Sequence, residues 1–387
     1  MDRYTSVASK NENAPELRAR AVLSKENVAP GVRTALSTIS KSETNAAVRR
    51  PLADKTNLAN RSKYVSKAVP IEEMTDELDE ESASDNQELD VEPLSPQWDK
   101  EIYGELKQVL REFSRRTVDV DDEDNYDVTM VTEYAPEIFA YLHELEIKFQ
   151  PGAKYMSQQD ELTWESRSTL INWIVQIHER FKLLPETLYL TVNCIDRFLS
   201  RRMVSLSRFQ LVGAVALFIA AKYEEINCPS VKDIAYMISH EFSTEDILRA
   251  ETFMINILEF DMGWPGPMSF LRRTSKADDY DNEVRTLAKY FLEICIMDAR
   301  FVASEPSWLA SGAHFLSRRM LERGEWTSAH VFYSGYTQKQ LIPLADAMLD
   351  ACRNPKKHHP AIYEKYREKK YFRSADFVQD WIRSMGI

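Results

Sequence analysis

From about Thr132 onward, apolar positions recur at the three-and-four spacing of amphipathic helices. "YAPEIFAYLHELEIKF" brings Ile138, Tyr141, Leu142 and Leu145 onto one stripe. "STLINWIVQIHERF" is apolar almost all round: Leu170, Ile174, Ile177 and Phe181 share one face, and Ile171, Trp173 and Val175 point elsewhere. Such a helix is expected to run through the middle of a bundle. "PETLYLTVNCIDRFLS" aligns Leu188, Val192, Ile195 and Leu199. "SRFQLVGAVALFIAAKYEE" opens with the spacing of a capping box at Ser207 and Gln210. Its Gly213, Ala214, Ala216, Ala220 and Ala221 predict close approach by neighbouring helices. "PSVKDIAYMIS" and "STEDILRAETFMINILEF" complete five helices, each with a Ser or Thr at its start.

"MGWPGPMSF" interrupts the pattern with Gly263, Pro265, Gly266 and Pro267, a linker signal. A similar order then recurs in "NEVRTLAKYFLEICIMDARF", "PSWLASGAHFLSRRML", "SAHVFYS" and "TQKQLIPLADAMLDAC". The third helix of each set is rich in small residues, and the last of each starts at a Thr. No strand pattern appears. The reading is all-α, in two bundles of duplicated helical order.

The N-terminal part differs. Residues 1–70 are Ser-, Ala-, Asn-, Lys- and Arg-rich with few large apolar side chains, and are expected to form a disordered basic tail. Residues 71–131 carry acidic runs, "IEEMTDELDEESASDNQELDVEP" and "DVDDEDNYD", and read as a mostly disordered linker with short amphipathic helix around Trp98 to Phe113. Residues 132–263 and 264–387 are then the two helical domains.

Composition narrows the chemistry. With 387 residues and only 10 glycines, the chain offers no Gly-rich phosphate loop. Cys194, Cys228, Cys295 and Cys352 lie far apart, which suits a reducing compartment and no zinc site. A net charge of −12 disfavours bulk DNA binding. The N-terminus has no apolar leader and no apolar run approaches membrane-spanning length, so an intracellular soluble protein is expected. No catalytic constellation stands out: His178 and Glu179 lack a second His, and Cys352, His358 and His359 fit no usual finger. The folded half is expected to work by binding, without a cofactor or metal.

The motifs resemble those of a known family. "RSTLINWIVQIHERFKLLPETLYLTVNCIDRFLS" is similar to the first two helices of the cyclin box, and "FQLVGAVALFIAAKYEEI" to its third. "PGPMSFLRRTSKADDYD" resembles the segment that opens the second box of B-type cyclins. On this resemblance the chain is identified as a member of the mitotic B-type cyclins of fungal character, with two tandem five-helix cyclin boxes after a disordered tail. It implies a regulatory subunit that binds and activates a cyclin-dependent kinase at the G2/M transition. Lys222 and Glu251 match the charged pair that contacts the kinase helix, and Tyr223, Ile219, Ile255, Phe260 and Met262 match apolar positions of the same surface, Ile219 and Ile255 being partly structural. Arg167 matches a structural Arg whose partner is expected at Asp196.

The resemblance also implies a groove through which substrate proteins dock. Its positions are Ser166, Leu170, Trp173, Gln176 and Gln210; Ser166 replaces a family Met and Gln176 a frequent acid, which predicts altered or weaker docking. In the tail, "RRPLADKTN" matches the destruction-box pattern through Arg49, Leu52 and Asn57, and Lys25, Glu26 and Asn27 form a KEN box. These imply removal by the anaphase-promoting ubiquitin ligase. "RTALSTISK" is a poorer copy, with Lys41 in place of Asn. "LSPQ" makes Ser95 a minimal Pro-directed phosphorylation site. The expected location is nucleus and cytoplasm, with no direct nucleic-acid or membrane partner. A DNA-binding initiation factor with cyclin-like boxes is disfavoured by the acidity and the absent CxxC pairs, and a helical scaffold that activates nothing is the other alternative.

Overall fold

The structure, a computed structural model, describes residues 92–114, 124 and 131–386. Lys25, Glu26, Asn27, Arg49, Leu52 and Asn57 lie outside the described residues. Those described are helical with no strand. A leading helix, α1 (Lys100–Ser114), is followed by α2 (Ala135–Lys148). The first repeat comprises α3 (Trp164–Phe181), α4 (Pro185–Leu199), α5 (Leu206–Glu224), α6 (Val231–Met237) and α7 (Thr244–Ile257). The second comprises α8 (Pro267–Ser275), α9 (Asn282–Cys295), α10 (Pro306–Met320), α11 (Ser328–Ser334) and α12 (Gln338–Ala351). Three helices close the chain: α13 (Pro355–His358), α14 (Pro360–Tyr366) and α15 (Ser374–Met385).

The third helix of each repeat is the hub. Every residue of α5 from Leu211 to Ala221 is buried. By length and composition α5 could cross a membrane, which corrects the expectation that no apolar run reaches that size; here its side chains fill the first repeat. Small residues set the packing distances. A Cβ on Gly213 would lie 2.8 Å from Leu170 Cδ1, and one on Gly312 of α10 would lie 2.3 Å from Leu344 Cδ2 on α12. Both glycines permit a helix approach that alanine would obstruct.

Local capping follows the sequence in part. Thr163 with Ser166, Ser230 with Asp233, Ser243 with Asp246, and Thr337 with Gln340 form reciprocal capping boxes. The box expected from Ser207 and Gln210 does not form, because α5 begins at Leu206. Its orphan Leu206 N–H donates instead to Glu161 Oε2 at 2.7 Å. Helix α4 starts on Pro185 with no side-chain cap, since proline has no N–H to satisfy. The last helix of the first repeat is capped by Ser243, not Thr244.

Helix α2 presents a different face from the one expected. Ile138 and Tyr141 are 39% and 58% exposed, whereas Phe139, Leu142, Glu146 and Phe149 turn inward. The reason is Glu146, only 2% exposed, which accepts hydrogen bonds from Ser307 N–H (2.9 Å) and Ser307 Oγ (2.8 Å) at the start of α10. It thereby caps the third helix of the second repeat.

Further polar bolts join the repeats. Arg167 on α3 grips Asp196 on α4 through Nε (2.8 Å) and Nη2 (2.7 Å) and donates from Nη1 to Ile296 O, just past α9, at 2.9 Å. Tyr155 OH donates to the same Asp196 at 2.8 Å. The last helices close the seam: Ala361 N–H donates to Asn172 Oδ1 (2.9 Å), while Lys365 and Tyr366 meet buried Glu293 at 2.7 and 2.8 Å.

The segment before the repeats is not free either. Ile102 and Val109 of α1 are buried, Phe113 stacks on Phe332 of α11 at 4.4 Å between centroids, and Trp98 lies 6.2 Å from Tyr336. Residues 92–114 therefore strap across the second repeat.

Candidate functional site

Lys222 stands in the last turn of α5, where a cation also favours the helix C-terminus. Its Nζ meets Glu251 Oε1 of α7 at 2.5 Å and lies 4.0 Å from the Phe218 ring centroid. The two ends differ in exposure. The Lys222 side chain is 45% exposed, while that of Glu251 is 10% exposed. The pair is thus an anchored carboxylate holding an outward ammonium, ready for a partner's carbonyls or carboxylates.

Large apolar side chains stand exposed at the C-terminal ends of α5 and α7, the two helices that carry the pair. Tyr223 is 56% exposed, Phe260 72% and Ile226 98%, an unusual density of large apolar groups in water. Ile255 is half-buried beside them. Phe260 owes its position to the chain reversal after α7: Glu259 and Phe260 have φ of 59° and 62°, the left-handed region, and Phe260 N–H donates back to Ile255 O at 3.1 Å. A bulky aromatic there costs conformational energy. Ile219 and Met262, expected on this surface, are 3% and 8% exposed and lie beneath it. Met262 Sδ packs 4.0 Å from Cys194 Sγ, so these two support the face from the core.

The groove positions are spread over α3 and α5. Leu170 is buried, Trp173 and Gln210 are half-buried, and Gln176 is exposed. The Ser166 hydroxyl accepts from Thr163 N–H (2.9 Å) and donates to Thr163 O (2.8 Å), so it belongs to the helix cap and offers no apolar wall. Leu206, one turn before Gln210, is 55% exposed and Met203 60%; both add apolar surface that sequence reading did not name.

One polar cluster was not anticipated. Asp278 accepts from His314 Nε2 (2.8 Å), His330 Nε2 (3.0 Å) and the Arg318 guanidinium. Burial alone would raise the Asp278 carboxyl, but these hydrogen bonds outweigh it and hold it far below the ordinary carboxylate range. Asp278, His314 and His330 have the donor types of a metal site. Their one negative charge is already met by Arg318, and Thr327 N–H donates to His330 Nδ1 at 3.2 Å, leaving Nε2 of that ring as the proton donor to Asp278. The cluster braces the turn after α8 against α10 and α11.

The cyclin N-terminal domain model matches residues 137–263 and the cyclin C-terminal domain model residues 265–380. A crystal structure of a viral cyclin from herpesvirus saimiri shares the fold, with a TM-score of 0.50 at 17% identity over 55% of this chain and 97% of that one. The paired helical repeats are those of the cyclin fold. Among curated relatives, G2/mitotic-specific cyclin-4 of Candida albicans is 62% identical over 317 residues, covering 81% of this chain and 65% of its own length. G2/mitotic-specific cyclin-4 of Saccharomyces cerevisiae is 53% identical over 81% of this chain and 67% of its own. G2/mitotic-specific cyclin cig1 of Schizosaccharomyces pombe is 45% identical over 76% and 70%. The chain belongs to the cyclin family, among the mitotic B-type cyclins of fungi. It spans a little under two thirds of the length of the Candida relative.

Proposed function

We propose that this chain is the regulatory subunit of a mitotic cyclin-dependent kinase, binding it through Lys222, Glu251, Tyr223, Ile255 and Phe260. The observation that carries the reading is the anchored Lys222–Glu251 pair on two helices whose C-terminal ends expose large apolar side chains. Apolar contacts supply affinity, and the oriented ammonium supplies register on the partner's helix and backbone. Binding acts by population shift: a kinase helix held inward completes the kinase's own Lys–Glu ion pair, so the cyclin favours the active form it binds best. The chain itself does no chemistry in this reading. Substrates dock at the Leu170, Trp173 and Gln210 groove, with Ser166 and Gln176 narrowing the choice. Ubiquitin-dependent proteolysis through Arg49, Leu52 and Asn57 and the Lys25-Glu26-Asn27 box ends its activity, and it works in nucleus and cytoplasm.

The test mixes the purified chain with an inactive cyclin-dependent kinase and follows phosphorylation of a histone-type substrate. Wild type should activate strongly; the Lys222→Ala, Glu251→Ala double variant should lose at least tenfold. Absence of both complex and activation with wild type would remove the assignment.

A further inference from the structure

We propose that Ser95 is a phosphorylation site for a Pro-directed kinase, and that docking of residues 92–114 on the second repeat keeps it closed. The segment is fixed on both sides of the serine. Leu94 N–H donates to Arg300 O at 2.9 Å, and Leu94 O accepts from Ser304 Oγ at 2.7 Å. Two residues beyond the serine, Gln97 O accepts from Gln340 Nε2 at 3.0 Å. Asp99 then caps α1 through Ile102 N–H (2.9 Å) and shares Lys339 with Glu101, at 2.9 and 2.6 Å.

Within this tethered stretch Ser95 is exposed and Pro96 is buried. A Pro-directed kinase needs the reverse: the serine enters its catalytic cleft and the following proline enters an adjoining pocket, with several flanking residues extended. Pro96 cannot occupy both the second repeat and that pocket. Transfer therefore requires the strap to lift. The reaction itself is ordinary: Ser95 Oγ bonds the γ-phosphorus of ATP, the bond from that phosphorus to the ADP oxygen breaks, and the hydroxyl proton passes to the kinase's base. The product carries a charge of about −1.5 to −2. It adds to the negative charge of Glu92, Asp99 and Glu101 on the same segment, the last two of which pair with Lys339.

The experiment uses the full chain, a Pro-directed kinase that needs no cyclin, and ATP, with phosphate at Ser95 measured by mass spectrometry. A free peptide of residues 90–102 should be modified at least tenfold faster than the full chain. Lys339→Ala and Phe113→Ala chains should gain several-fold, with strap release verified by limited proteolysis near residues 92–114. Ser95→Ala should abolish the signal. Equal rates for peptide and full chain would refute closure by docking. No modification of the peptide or of the loosened chains would refute the site. Neither outcome touches the kinase-activation assay, which reads a different partner surface.

Discussion

Gly312→Ala in α10 asks whether the second repeat depends on the close approach seen between its third and fifth helices. The added Cβ would lie 2.3 Å from Leu344 Cδ2 and 2.7 Å from Leu344 Cγ. A terminal methyl can rotate away about χ2, but moving Cγ takes a change of χ1 or a shift of the α12 backbone, and fully buried Leu344 has little free space for a new rotamer. Overpacking of this kind costs about 1–3 kcal/mol. Alanine returns about 1 kcal/mol of helix propensity. With Cγ obstructed the upper part of the range applies, and the net loss is about 1–2 kcal/mol. Leu344→Ala alone should lose about 2–5 kcal/mol, because Leu344 is fully buried. In the double variant the new methyl enters space that the leucine has left, so the loss should fall short of the sum by about 1 kcal/mol or more. Urea unfolding followed by tryptophan fluorescence reads this well, since Trp308 and Trp326 are 2% and 8% exposed in the second repeat. A neutral or stabilising Gly312→Ala, or additivity within about 0.5 kcal/mol, would refute the packing argument.

Two further predictions concern buried charge and pH. Arg167→Met leaves Asp196, 2% exposed, without its guanidinium and should cost about 3–5 kcal/mol in the same unfolding assay. Arg167→Lys should recover only part, because one ammonium cannot reproduce the forked grip on Asp196 together with the bond to Ile296 O. Burial, then the neighbouring His358, lowers His359 to about 3. Below its unfolded value near 6.5 the unfolded chain binds a proton that the folded chain refuses, so stability falls as pH drops from about 6.5 toward 3. The slope from this group approaches about 1.4 kcal/mol per pH unit. His359→Gln should flatten it in unfolding titrations at pH 7, 6 and 5. An unchanged slope would show that His359 does not carry the effect.

How far the chain could be read in advance depended on whether a residue's role was local. The five-helix order of each repeat was legible because Leu188, Val192, Ile195 and Leu199 recur at helical spacing, and all four are buried. The close approach at Gly213 was legible from composition alone. The inward face of α2 was not, because Phe139, Leu142, Glu146 and Phe149 include an acid, and a count of apolar positions favours Ile138 and Tyr141. Periodicity likewise could not tell that Ile219 and Met262 lie under the candidate face while Phe260 stands on it. That distinction is made by two left-handed residues after α7, and neither Glu259 nor Phe260 is a type that announces such a turn. The Asp278 cluster joins residues separated by 36 and 52 positions, so no local motif contains it.

The cap that Glu146 places on α10 has a consequence for how the molecule assembles. Glu146 and Ser307 are separated by 161 positions in the chain. The residue beside that helix start, Glu305, makes no capping bond to it. The central helix of the second repeat thus gains its N-terminal partner only when a loop spanning the whole first repeat has closed, a slow step of high contact order. The first repeat can collapse as it emerges during synthesis, whereas the second reaches its final packing only once α2 has docked. A fragment beginning after α2 would keep every apolar residue of the second repeat but leave the Ser307 N–H at the start of its hub helix without its side-chain acceptor, a loss of about 1 kcal/mol.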